Sequence, residues 1–419
     1  MTPAPEGGRL RVVAVADTDS YVKWAAALVA DPRVDGSLVV VDTELVVTDA
    51  QLEAALAGTD LDPSRARRAA FDELPARLAG ADVVLAAAPG PLVRVVAREA
   101  AKLSPRPVIA TGLPGISIPA TWKALHFRRQ CDMFVLHSHR EIRAFGELAA
   151  ERGIPQRFAL ARLPFVKRAE GIEARGTDLV FAAQALVPRA RDDRLRLAAL
   201  LIEAARAEPA KRVVVKLRGR PGEAQTHFEQ DPFTKLIDEI GGAPANLVVS
   251  YAPMGEALAT AEGLMTVSST AAIEAAAQGV PVIALDSFGV TDKLINVVFE
   301  GSGLLAGDEA VVGRAFRLPD PAWVRDNYFH DPADDTWIQT AERLVARRRL
   351  GELPPSRVPF RLGGELRDVW ERRLALGDRD RSLAGRVAYR IGVPLREVVR
   401  VYRRLATRIR SLRYAKMEG

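Results

Sequence analysis

Short apolar runs alternate with stretches of helical period along the first 160 residues. Leu10–Ala16, Ser37–Val41, Val83–Ala88, Val108–Thr111 and Met133–His137 read as strands, with helices Tyr21–Ala30, Asp49–Leu56 and Leu92–Lys102 between them. Strands that are apolar throughout, rather than at alternate positions, belong to a parallel sheet covered on both faces. The pattern breaks over Leu163–Gly176, a stretch with Pro, Lys, Arg and Gly. It restarts with Asp178–Ala182, Arg212–Leu217, Leu247–Tyr251, Gly263–Val267 and Pro281–Leu285. The expected fold is therefore α/β, with two Rossmann-like doubly wound domains at residues 1–168 and 177–318. Residues 319–350 form a return segment rich in Asp, Pro and Trp that ends in a helix, Ile338–Arg349. Residues 360–419 form a helical basic tail, in which Leu395–Leu412 sets Val398, Tyr402, Leu405, Ile409 and Leu412 against Arg396, Arg400, Arg403 and Arg404.

Charge sharpens that division. The 419 residues carry a net +6, but eleven basic and two acidic residues fall after position 380, a balance of +9 that leaves residues 1–380 at −3. A slightly acidic body with few aromatic residues argues against a nucleic-acid groove and leaves the tail as the basic element. A single cysteine, Cys131, excludes an internal disulfide framework and suits a reducing cytoplasm. The first apolar run, Val12–Ala16, is too short for a signal-peptide core, and no stretch is long enough to span a bilayer. The expectation is a cytoplasmic protein, with the tail free to hold it at the inner face of the membrane.

The chemistry concentrates at strand ends. After the strand ending at Val267, a hydroxyl cluster Ser268, Ser269 and Thr270 opens a helix, Glu274 lies one turn inside it, and Gly279-Val-Pro281 leads into the next strand. Hydroxyls and unpaired N–H groups at such a point suit a phosphate, and a carboxylate one turn on suits ribose hydroxyls. An ordinary Ser/Thr helix cap explains the same hydroxyls without a ligand. The segment resembles the donor-binding element of GT-B glycosyltransferases, in which a small-residue phosphate loop, a helix with Glu and a Gly-x-Pro turn follow in that order. The resemblance implies two Rossmann-like domains facing a cleft and a nucleotide-sugar donor held by the second. The Ser-Ser-Thr form is similar to that of bacterial CMP-sugar users such as sialyl-, polysialyl- and Kdo-transferases, so a CMP- or UDP-linked donor is expected. Their His-Pro motif is absent here.

Following the strand Arg212–Leu217, Lys216, Arg218 and His227 are placed to pair with a diphosphate or a sugar carboxylate, and His227 alternatively to donate a proton to the leaving phosphate. A solvated basic loop is the plain alternative. At the tip of the first strand, Asp17-Thr-Asp-Ser-Tyr-Val-Lys-Trp24 supplies two carboxylates. An inverting GT-B enzyme needs a general base there, with Asp19 the first choice and Asp17 the second; one of them could instead cap the following helix. These two segments, DTDSYVKW and KLRGRPGEAQTH, are similar to those of an actinobacterial family classed with the glycosyltransferases.

The Asp-x-Asp pair also resembles the metal motif of GT-A glycosyltransferases, but no βαβ unit precedes it. Haloacid-dehalogenase-like phosphatases share it too, but no later acidic pair for magnesium is evident. Gly112 and Gly115 sit in a loop suited to the acceptor side, where the backbone can be approached closely. His137 and His139 share only the spacing of a metal pair, so no metal is assigned, and His126 and His330 carry no reading. The expected activity is a metal-independent, inverting glycosyltransferase with no cofactor, acting on a cell-surface glycan or lipid-linked acceptor. Two alternatives remain: a GT-B-shaped nucleotide-sugar 2-epimerase, or a membrane- or nucleic-acid-binding protein acting through residues 381–419.

Overall fold

A computed structural model describes residues 9–45, 47–164, 166, 176–217, 229–356, 364–392 and 394. The first sheet contains β1 (Leu10–Ala16), β2 (Val34–Val41), β3 (Ala66–Ala69), β4 (Val83–Ala87), β5 (Val108–Gly112), β6 (Met133–Leu136) and β7 (Phe158–Leu160). The second contains β8 (Asp178–Ala182), β9 (Val213–Lys216), β10 (Leu247–Ser250), β11 (Ala261–Thr266), β12 (Val282–Leu285) and β13 (Leu305–Ala306). Both are wholly parallel, in the orders β3-β2-β1-β4-β5-β6-β7 and β10-β9-β8-β11-β12-β13.

Parallel pairing needs a crossover between strands, and the helices that make it cover both faces. On β1 the alternation is visible: Val12, Ala14 and Ala16 enter one buried cluster and Val13 and Val15 the other. The first cluster takes helices Asp19–Val29 and Asp49–Ala57; the second takes Gly90–Ala101. Helices Arg191–Ala207 and Phe233–Ile240 cover one face of the second sheet, and Met254–Ala259 and Ala271–Ala277 the other.

The return segment closes the architecture. Helix Trp337–Arg349 crosses back and buries Trp337, Ile338, Ala341, Leu344 and Val345 in the first domain's core. Beyond it, helix Gly364–Leu376 lies against Gly90–Ala101, with Glu371 facing both Arg94 and Arg98. The amphipathic stretch expected at Leu395–Leu412 lies outside the described residues. No helix among the described residues is long and apolar enough to cross a membrane.

β3 and β7 are strands that the apolar pattern does not signal. β3 is an edge strand bearing Arg67 and Arg68, and β7 is an edge strand of three residues. Edge strands pair on one side only and need no continuous apolar run.

Candidate active site in the cleft

In each sheet the strand order reverses beside its first strand, between β1 and β4 and between β8 and β11, and ligands of such sheets bind at the carboxyl ends of the strands flanking that point. Asp17 and Thr18 follow β1, Gln184 follows β8, and Ser268 to Thr270 follow β11. The two edges face each other. A Cβ built on Gly115, beyond β5 of the first domain, would stand 3.1 Å from Thr270 Oγ1 of the second. Ile118 joins a buried cluster of the second domain.

The turn after β1 is short of hydrogen bonds. Asp17 and Thr18 are each 3% exposed, and Asp17 Oδ1 and Thr18 Oγ1 have no hydrogen-bond partner among the described residues. Thr18 is the cap residue of helix Asp19–Val29, yet its side chain makes no cap bond. Burial pushes the Asp17 carboxyl up to about 7, only partly opposed by a backbone hydrogen bond. Buried polar atoms without partners are rare in folded proteins, and each calls for an explanation such as a catalytic role, a bound water or an ion. Asp19, by contrast, is exposed at the first position of the helix.

Beneath this turn lies a buried cation. Arg128 donates to the carbonyls of Gly112 at 3.1 Å and Ala88 at 3.1 Å, and to the Tyr21 hydroxyl at 3.0 Å. It thereby ties the carboxyl ends of β4 and β5 to the first helix.

On the opposite edge the hydroxyl cluster is supported from β8. Gln184 Oε1 accepts from the Ser268 N–H at 3.0 Å, and its Nε2 donates to Ser268 Oγ at 3.2 Å. Ser269 Oγ accepts from Ala271 N–H at 3.2 Å and Thr266 Oγ1 from Ser269 N–H at 3.2 Å, so part of the donor set is satisfied internally. Glu274 is half-buried, and burial raises its carboxyl while Lys23 of the first domain and Lys216 of the second draw it back down. Lys216 ends β9, is itself buried, and donates to the Leu217 carbonyl. Arg218 and His227 lie outside the described residues.

Sequence reasoning missed Gln184, because a lone glutamine after a strand has no pattern; its position at the tip of the second domain's first strand, equivalent to Asp17 in the first, is the available signal. Gly112 is fully enclosed in β5, where a Cβ would come within 2.3 Å of the Trp24 ring. The close approach it permits is therefore to Trp24, whereas Gly115 lines the cleft.

The histidines separate. His137 is fully buried, accepts from Trp24 Nε1 at 2.8 Å and, with that nitrogen occupied, donates through Nδ1 to the Ala161 carbonyl at 2.7 Å. His139 turns outward to the ring of His330 and to Asp334. Among the described residues no group of three His, Cys, Asp or Glu is arranged to hold a metal. Glu141 is buried and accepts from the N–H groups of Ser117 and His137 and from Tyr328 Oη at 2.7 Å, pinning the return segment to the first domain. A cavity of about 740 Å³ lies at this junction, lined by Leu28, Asp31, Leu163, Arg325 and His330, and none of the cleft residues contributes to it.

Among solved structures, S. aureus MnaA with UDP matches at TM-score 0.50 and 11% identity, covering 84% of this chain and 99% of its own. UDP-N-acetylglucosamine 2-epimerase from Rickettsia bellii matches at 0.47 and 12%, covering 82% and 97%. Glycyrrhiza uralensis UGT73P12, complexed with glycyrrhetinic acid 3-O-monoglucuronide, matches at 0.46 and 10%, covering 94% and 100%. The first of these likenesses shows the fold, two Rossmann-like domains in the GT-B arrangement. No curated protein sequence matches. A family model described as "Putative glycosyltransferase (DUF6716)" matches residues 12–344, from within β1 into the return helix, and the chain belongs to that family.

Proposed function

We propose that the protein is an inverting glycosyltransferase that takes a sugar from a CMP- or UDP-linked donor held by the second domain and passes it to a glycan or lipid-linked acceptor held by the first. The observation that carries this reading is the pair of buried, unpartnered oxygens, Asp17 Oδ1 and Thr18 Oγ1, at the tip of β1 opposite the donor edge. Asp17 replaces Asp19 as first choice for the base, because its carboxyl is buried and raised to about 7, near the pH at which it must take a proton.

In the proposed reaction the acceptor hydroxyl oxygen forms a bond to the anomeric carbon as the bond from that carbon to the nucleotide phosphate oxygen breaks. Asp17 receives the hydroxyl proton, and the nucleotide leaves with the bonding electrons. Lys216 and the Ser268 and Ser269 hydroxyls meet the charge that develops on it, so no metal is needed, and Glu274 accepts from the ribose. Arg218 and His227 are proposed to add to the same anion site.

A thermal-shift series with CMP, UDP, GDP and their sugars tests the donor half of the reading. One nucleotide class should raise the unfolding midpoint by linkage, and silence from all of them counts against a nucleotide-sugar enzyme. Incubating that donor without acceptor then separates transfer from epimerisation, since an epimerase converts the sugar alone.

A further inference from the structure

The helix over residues 383–392 is built inside out. Ser382 caps it, accepting from Gly385 N–H at 3.0 Å, while the Ser382 N–H donates to the buried Asp380 at 3.1 Å. Its inward face is made of small residues: Gly385 rests on Asp380, Gly392 on Trp370 and Ala388 is buried. At 100° per residue the opposite face carries Leu383, Val387 and Ile391, which are 72%, 56% and 58% exposed. Arg386 and Arg390 adjoin that stripe, Arg379 and Arg381 precede it, and all four are exposed. Residues 381–394 contain no acidic side chain. Helices on soluble bodies turn large apolar residues to the core, so this reversal marks a surface made for another apolar phase.

Its position relates it to the cleft. Helix Gly364–Leu376 runs antiparallel to Gly90–Ala101, with Glu371 near Arg94 and Arg98, and delivers residues 377–378 to the carboxyl edge of the first sheet. There the Asp378 N–H donates to Glu44 Oε1 at 3.1 Å, just beyond β2. The exposed stripe therefore starts at the cleft edge of the domain that is to hold the acceptor.

We infer that Leu383, Val387 and Ile391, flanked by Arg379, Arg381, Arg386 and Arg390, dock the acceptor domain onto an anionic lipid surface, so that the cleft receives its acceptor from the membrane. Apolar side chains enter the interface while arginines meet lipid phosphates, and the +9 balance after residue 380 acts in the same direction. The inference rests on the proposed transfer to a membrane-linked acceptor, but the docking itself needs neither donor nor acceptor.

Co-sedimentation of the full chain with vesicles tests it. Vesicles of phosphatidylglycerol and phosphatidylcholine in equal parts should bind the protein, and phosphatidylcholine alone should not. The triple variant L383E/V387E/I391E should lose roughly tenfold or more in vesicle affinity, and R386Q/R390Q a comparable factor that shrinks in high salt. Undiminished binding by the triple variant overturns the inference, as does wild-type protein that ignores both vesicles. It is equally overturned by a stripe that proves to seat another occupant. The signs would be a dimer dissolved by the triple variant, a lowered unfolding midpoint with unchanged vesicle binding, or capture of duplex DNA in place of vesicles. The nucleotide thermal shift, run on the same variants, reports the transferase reading separately.

Discussion

Gly115 of the first domain and Thr270 of the second meet across the cleft so closely that a Cβ on Gly115 would lie 3.1 Å from Thr270 Oγ1 and press on that side chain. The contact joins the expected acceptor loop to the expected phosphate loop, so it reports directly on how far the cleft can close. G115V should lower transfer about ten- to hundredfold and reduce nucleotide-induced stabilisation far less, because the added side chain displaces Thr270 alone of the hydroxyl cluster and obstructs the approach of the two edges. Steady-state kinetics beside a thermal shift separate the two effects, and an unchanged rate would show that closure does not pass through this contact.

Asp17 makes a pH prediction. Its folded-state carboxyl stands near 7 against an ordinary 3.8, so between those values the folded protein holds a proton that the unfolded chain has released. Stability must then fall as pH rises through that window, by about 4 kcal/mol at most from this group. D17N should flatten that loss in urea unfolding at pH 5 and pH 8, and should abolish transfer at both. A variant that keeps the wild-type rate removes Asp17 as the base and returns the choice to Asp19.

Glu274 should act in the opposite sense on binding. Its ionised carboxylate accepts from a ribose more strongly than the neutral acid does, so nucleotide affinity should decline on acidification, starting at a higher pH than for an exposed glutamate because burial has raised it. K23M removes a cation that draws the carboxyl down and should move the midpoint of that decline upward. E274Q should weaken nucleotide binding by about 1–2 kcal/mol and remove the dependence. Calorimetric titration across pH reads all three.

Gly112 tests packing rather than chemistry. G112A drives a methyl group into the Trp24 ring and toward the Val135 carbonyl, and should cost about 1–3 kcal/mol in denaturant unfolding. A variant as stable as the parent would mean that Trp24 can move aside, at the expense of its hydrogen bond to His137.

The strands that form the cores were legible because parallel burial writes itself as unbroken apolar runs. β1 and β8 occupy the residues expected of them, Leu10–Ala16 and Asp178–Ala182, and the other central strands shift by a residue or a few. β3 was illegible for the converse reason, since a charged edge strand is recognised by its neighbour and not by its composition. The site followed the same logic. Naming Ser268, Glu274 and Lys216 as candidates near the carboxyl ends of β11 and β9 followed from chain order and strand ends alone. Ranking Asp17 against Asp19 did not, because two carboxylates separated by one residue differ only once the helix begins at Asp19 and turns one inward and the other out. Contacts such as Glu141 with Tyr328, 187 residues apart, have no local signature at all.

The helix Trp337–Arg349 completes the core of a domain whose strands end at Leu160. On the ribosome the first domain therefore emerges with an apolar face uncovered and keeps it so until the entire second domain has been synthesised. The second domain is in this sense an insertion, contiguous in the chain and able to condense first, while the first domain must wait for its last piece. Chains ending before residue 337 should accumulate as aggregates, and the order of assembly runs against the order of synthesis.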